Sequence, residues 1–130
     1  MTTAINPWPW SEAFGFSQAL VVPAGGKLVV CSGQVSVDEG GRPVHAGDMA
    51  AQIAQAFDNL EAVLDAGGLS MSNVVRLNYF TTDVPAFIEA GPQWIGRLGA
   101  LDPKPASTLL GVAALFHPDI MVEIEATAVA

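Results

Sequence analysis

The sequence predicts a two-layer α+β fold in which two helices cover one face of a β-sheet. Three observations carry that expectation. A long apolar stripe at helical spacing runs from Met49 to Leu64. Several shorter segments are β-branched, aromatic or strictly alternating, as Val74 to Thr81 and Met121 to Val129 are. The elements follow one another as hairpin, helix, strand, helix and two strands, and two helices of this size can cover only one sheet face.

Residues 1–13 are rich in Pro and Trp and show no periodicity, so they read as an arm ahead of a single domain spanning residues 14–130. Pro7 and Pro9 would hold the arm extended, and Trp8 and Trp10 would pack on the body or on a neighbour. Leu20–Val22 and Leu28–Cys31 flank Pro23-Ala24-Gly25-Gly26 and read as a hairpin. Gly33 to Val37 continues as a short strand or loop, and Asp38 to Pro43 is a turn by composition.

Asp48 is a good N-cap. Behind it Met49, Ile53, Phe57, Leu60 and Leu64 form one helical stripe that Gly67-Gly68 ends. Val74 to Thr81 is a strand with Val74, Arg76, Asn78 and Phe80 on one face and Val75, Leu77 and Tyr79 on the other. Asp83 caps a second helix with Phe87, Trp94, Ile95 and Leu98 on its apolar side. Pro92 lies inside that pattern and predicts a kink or break near Gly91. Thr108 to Ala114 and Met121 to Val129 are the closing strands. In the last of them Val122, Ile124, Ala126 and Ala128 alternate with Glu123, Glu125 and Thr127.

Composition narrows the function. In 130 residues, 51% are apolar and only 14% charged, against about 25% charged in an ordinary soluble domain. The apolar runs are too short and too interrupted for a spanning helix, and the N-terminus has no signal-peptide pattern, so a cytoplasmic protein is expected. The apolar surplus then points to self-association through the open sheet face. The net charge of −8, with its five basic residues scattered singly, argues against nucleic acid and anionic membranes as partners.

Few motifs carry chemistry on their own. His45 and His117 stand apart in predicted loops without a metal-ligand spacing, so no metal site is expected. Cys31 could pair with a histidine as a nucleophile, but a buried small thiol at a strand end is the commoner arrangement. Glu123 is the most suggestive residue. A carboxylate between Val122 and Ile124 either faces solvent, or pairs with Arg76, or faces a cavity whose low polarity raises its pKa and suits it to proton transfer or water activation.

Ser32-Gly33-Gln34, the helical run Ala54-Gln55-Ala56-Phe57-Asp58-Asn59-Leu60, Pro105-Ala106 leading to Gly111-Val112, and Val122-Glu123-Ile124-Glu125-Ala126 together resemble the Rid (YjgF) superfamily, also called endoribonuclease L-PSP. The resemblance covers about residues 14–130, in order and spacing. It implies a chorismate-mutase-like fold with a mixed sheet, assembled as a homotrimer with sheets inward and ligand clefts between subunits. It also implies hydrolysis of reactive imines or enamines, such as 2-aminoacrylate, to ketoacids and ammonia without cofactor or metal.

Carried over residue by residue, the resemblance makes Glu123 the water-positioning glutamate. Ser32 and Gly33 become the cleft Ser-Gly pair and Arg76 the basic residue of the middle strand. Phe16 stands where the family has a tyrosine, and Gly91 where it has an asparagine. Phe87, Thr108 and Leu109 complete the candidate substrate site. The arginine that grips the substrate carboxylate in the deaminase branch is replaced by Ser107. Deamination of 2-aminoacrylate is therefore expected to be weak or absent, unless Arg97 or Lys104 substitutes. The expected function is an imine or enamine hydrolase acting on a less charged small molecule. The alternatives are a non-catalytic metabolite-binding trimer and, less favoured by the charge, a ribonuclease.

Overall fold

Alternation and helical spacing leave their imprint directly on the computed structural model, which describes residues 1–23 and 25–130. The elements are β1 (Thr3–Ile5), a 3-10 turn (Pro9–Phe14), β2 (Ala19–Val21), β3 (Leu28–Val35), α1 (Met49–Ala66), β4 (Val74–Thr81), α2 (Val84–Glu89), α3 (Gly91–Leu98), β5 (Ala106–Gly111) and β6 (Val122–Val129). The main sheet is mixed, in the order β3-β6-β4-β5, with β4 and β5 parallel and the other pairs antiparallel. The helices lie on one face, so the architecture is the expected two-layer α+β. Among the described residues no helix is long and apolar enough to cross a membrane.

The α1 helix starts where Asp48 accepts a hydrogen bond from the Ala51 amide. Its stripe of Met49, Ile53, Phe57, Leu60 and Leu64 is buried against Leu77, Tyr79, Ile124 and Ala126 of the sheet. Each fully buried large apolar side chain contributes about 1.5–3 kcal/mol. Gln52, also fully buried, lies one position before Ile53 and clamps two loops. Its amide donates to the His45 and Asp119 carbonyls and its oxygen accepts from the Met121 amide. The second helical region breaks at Ala90, as Pro92 requires, because the proline cannot donate to the preceding turn.

Four expectations are corrected. Leu20–Val22 and Leu28–Cys31 do not form a hairpin. Instead β2 pairs with β1, and β3 pairs with β6; Ala24, in the proposed loop, lies outside the described residues. Gly25 and Gly26 both take positive φ, and Lys27 and Ala130 exchange backbone hydrogen bonds that start β3 on the last strand instead. A Cβ on Gly26 would sit 2.5 Å from the Ala130 carbonyl oxygen, which only glycine permits.

The N-terminal segment is not irregular either. It contributes β1, and Pro9 opens the 3-10 turn rather than extending the chain. Val74 shares the buried face with Leu77 and Tyr79, because an irregularity between Val74 and Arg76 shifts the alternation by one. Finally, β5 begins at Ala106 and stops at Gly111; the Val112 amide makes one last hydrogen bond to the Thr81 carbonyl, and 113–114 lie outside the strand.

Candidate functional site

The residues singled out from the sequence fall into two groups, on opposite faces of the same sheet. The first lines a cleft of about 400 Å³ between the edge strand β5 and helices α2 and α3. Phe16, Phe87, Gly91, Ser107 and Leu109 all border it. Strand alternation explains the last two: Ser107 and Leu109 face the helices, while Thr108 faces away. Phe87 is buried and stacks on Trp94 at 5.4 Å with only 12° between the planes. Trp10 stands edge-on to Phe16 at 5.6 Å and continues the aromatic wall outward.

The second group lies on the open face. Glu123 projects there because its neighbours Val122 and Ile124 are fully buried on the helix side. Gly33 lies directly against it: a Cβ on Gly33 would come within 2.1 Å of Glu123 Oε2. A side chain at this position would displace Glu123, whereas glycine leaves room for it. Partial burial pushes the Glu123 carboxyl upward, and the Glu125 charge adds to the shift. Arg76 donates to Thr108 Oγ1 at 2.6 Å and, among the described residues, joins no ion pair. Asn78 donates to Glu125 Oε1 at 3.1 Å. Ser32 is exposed on β3 beside Gly33.

Other candidates resolve into structural roles. Cys31 is buried, and desolvation pushes its thiol upward, away from the thiolate a nucleophile needs. His117 Nδ1 accepts from the Asp119 amide. Arg97 is held by Asp58 and Glu61 of α1 and lies 5.7 Å over the Phe57 ring. Lys104 donates to the Leu101 carbonyl at 3.2 Å. Neither cation borders the cleft beside Ser107.

Tyr79, Trp94, Phe14, Ile88 and Ile95 also border the cleft, and the sequence reading had assigned none of them to a site. Strand alternation places Tyr79 on a face with Leu77, and helical spacing places Trp94 and Ile95 on an apolar side; neither pattern marks a site. The signal that could have marked Tyr79 is its hydroxyl, a polar atom on the buried face of a central strand.

Comparison with known proteins fits this geometry. A family model described as Endoribonuclease L-PSP matches residues 10–130. Protein DfrA of Myxococcus xanthus is 40% identical over 114 residues, covering 88% of this chain and 84% of its own. The 2-iminobutanoate/2-iminopropanoate deaminase of Escherichia coli K12 is 32% identical over 105 residues, covering 80% of each chain. Among solved structures, the Rid-family protein YyfB of Yersinia pestis, of unknown function, superposes with a TM-score of 0.86 at 32% identity, covering 99% of this chain and 98% of that one. The YjgF gene product of E. coli gives 0.70 at 30% identity, covering 88% and 87%. A match that spans nearly the whole chain in both sequence and fold makes this protein a member of the Rid superfamily, the family also named YjgF and endoribonuclease L-PSP.

Proposed function

We propose that the protein hydrolyses the C–N bond of a reactive imine or enamine on an uncharged small metabolite, in a cleft completed by a second copy of the chain. The observation that carries this reading is the split of the candidate residues. Ser107, Phe16, Phe87 and Gly91 border the cleft at the free edge of β5, whereas Glu123 and Gly33 stand on the opposite face. One chain cannot bring both groups to one ligand. A homotrimer with the open sheet faces inward would set the Glu123 side of one copy beside the β5 edge of the next. It would also cover Leu28 and Val30, which are 64% and 73% exposed on edge strand β3.

In that site the Glu123 carboxylate accepts a hydrogen bond from a water and orients its oxygen toward the imine carbon. The C–O bond forms as the nitrogen takes up a proton. Collapse of the carbinolamine then releases ammonia and leaves a carbonyl. Among the described residues, no charged side chain of this copy borders the cleft, so this half of the site offers a substrate carboxylate no ionic partner, at a cost in a low-dielectric site.

The experiment is turnover of a panel of neutral and carboxylate-bearing imines and enamines by the wild type, Glu123→Ala and Ser107→Arg. Loss of turnover with retained ligand affinity in Glu123→Ala is expected. Ser107→Arg is expected to raise kcat/KM for 2-aminoacrylate by roughly tenfold or more, through a charge-assisted bidentate pair. Ligand binding without wild-type turnover on any member of the panel would instead make the protein a metabolite-binding trimer. Salt-sensitive RNA binding at low ionic strength would revive the ribonuclease reading.

A further inference from the structure

We propose that Tyr79 is a ligand-binding residue whose hydroxyl donates a hydrogen bond to an acceptor on a neutral, ring-bearing ligand seated in the cleft. The inference rests on the cleft being the substrate site argued above, and it names the kind of group the cleft takes.

Tyr79 lies on the central strand β4 and is 4% exposed. Its ring is surrounded by aromatic side chains: Phe87 at 5.3 Å, Trp94 at 6.3 Å and Phe57 at 6.4 Å. Among the described residues its hydroxyl has no hydrogen-bond partner. Buried polar groups in native proteins are nearly always paired, and the exceptions call for an explanation. Packing does not supply one here, because phenylalanine would fill the same space without an orphaned donor.

The cleft supplies a better explanation. Tyr79 borders it together with the stacked Phe87–Trp94 pair. Its volume of about 400 Å³ lies within the 300–1,000 Å³ typical of small-molecule sites, which combine apolar walls with a few polar groups. Among the described residues, Ser107 and Tyr79 are the hydroxyl-bearing side chains of the wall, and the Trp94 indole N–H is directed at the Phe87 carbonyl. Burial pushes the Tyr79 phenol far upward, so it stays a neutral donor throughout the physiological range. The oxygen itself is buried, so the proposed contact requires the side chains around it to rotate, a common change on binding. The flat aromatic walls favour a ring.

The test is calorimetric titration with three probes sharing one ring: acetophenone, its planar isostere α-methylstyrene, and benzoate. Acetophenone offers a carbonyl acceptor, α-methylstyrene none, and benzoate a full charge. In the wild type, acetophenone is expected to bind about 3- to 10-fold more tightly than α-methylstyrene, the worth of one neutral hydrogen bond. In Tyr79→Phe that ratio should fall to about one, while α-methylstyrene keeps its affinity within roughly twofold. Benzoate should bind weakest of the three. A ratio near one in the wild type, a ratio that survives Tyr79→Phe, or tightest binding of benzoate would overturn the proposal. Ser107→Ala is the second variant: the ratio should survive it, whereas its loss there would assign the hydrogen bond to Ser107, the other hydroxyl of the wall, and overturn the proposal. The titration needs no turnover, so a protein that discriminates these probes but hydrolyses no imine would sink the proposed reaction and leave the Tyr79 site standing. Imine turnover lost in Glu123→Ala, with no probe discrimination, would do the reverse.

Discussion

Tyr79→Phe should make the protein more stable, which is unusual for a change at a fully packed core position. The perturbation removes one oxygen and leaves the ring contacts with Phe57, Phe87 and Trp94 in place. A buried hydroxyl without a partner carries a desolvation cost of about 1–3 kcal/mol. The void left by one oxygen, on the order of 10–15 Å³, costs only about 0.3 kcal/mol. The net gain is therefore about 1–2 kcal/mol, or roughly 3–8 °C in Tm for a domain of this size. Urea denaturation of the wild type and the variant at one matched protein concentration reads it directly. The midpoint should rise while the slope stays constant. Tyr79→Ala is the control: losing the ring should cost about 3–5 kcal/mol, which separates the hydroxyl from the packing. A loss of 1 kcal/mol or more in Tyr79→Phe would show that the hydroxyl is satisfied in the folded protein, and the binding role would lose its physical basis.

Three further predictions concern the open face and the helix layer. Glu123 has a folded pKa raised above its unfolded value, so its contribution is fully present below the unfolded pKa and is lost as pH rises through the folded one. Glu123→Gln should therefore be more stable than the wild type at pH 7, and the difference should shrink towards pH 4; paired denaturation curves at the two pH values would show it. Gly33→Ala places a methyl within 2.1 Å of Glu123 Oε2, where the flexible carboxylate can swing aside. It should change stability by less than about 1 kcal/mol while lowering turnover by at least tenfold, measured on the best substrate of the imine panel. Arg97→Ala removes the cation that ties α3 to Asp58 and Glu61 and covers Phe57. The cost in denaturation should be about 1 kcal/mol, with cleft binding unchanged because Arg97 does not border it.

Much of the architecture is legible in the chain because it is set by local geometry. The α1 stripe, the Asp48 cap, the break before Pro92 and the alternation of β6 each follow from backbone periods of 3.6 or 2 and from the missing amide of proline. Alternation also placed Glu123 on the face opposite Ile124. The chemical identity of the site was visible only through the resemblance of its motifs. Ser107 could be seen to lack the arginine's charge, but not to face an aromatic cleft.

The sequence by itself determined helix α1, the break before Pro92, the central and closing strands β4 and β6, which stripes are apolar, and the expectation that this weakly charged chain needs cover for its open sheet. Tertiary structure alone decided three further things: that β3 pairs with β6 rather than with β2, that Val74 turns into the core, and that Tyr79 reaches a cleft wall without a partner. Strand pairing, register shifts and the satisfaction of a buried hydroxyl depend on contacts between residues far apart along the chain. Local periodicity carries no information about those contacts, and that is why it could not show that the two halves of the candidate site stand on opposite faces of one sheet.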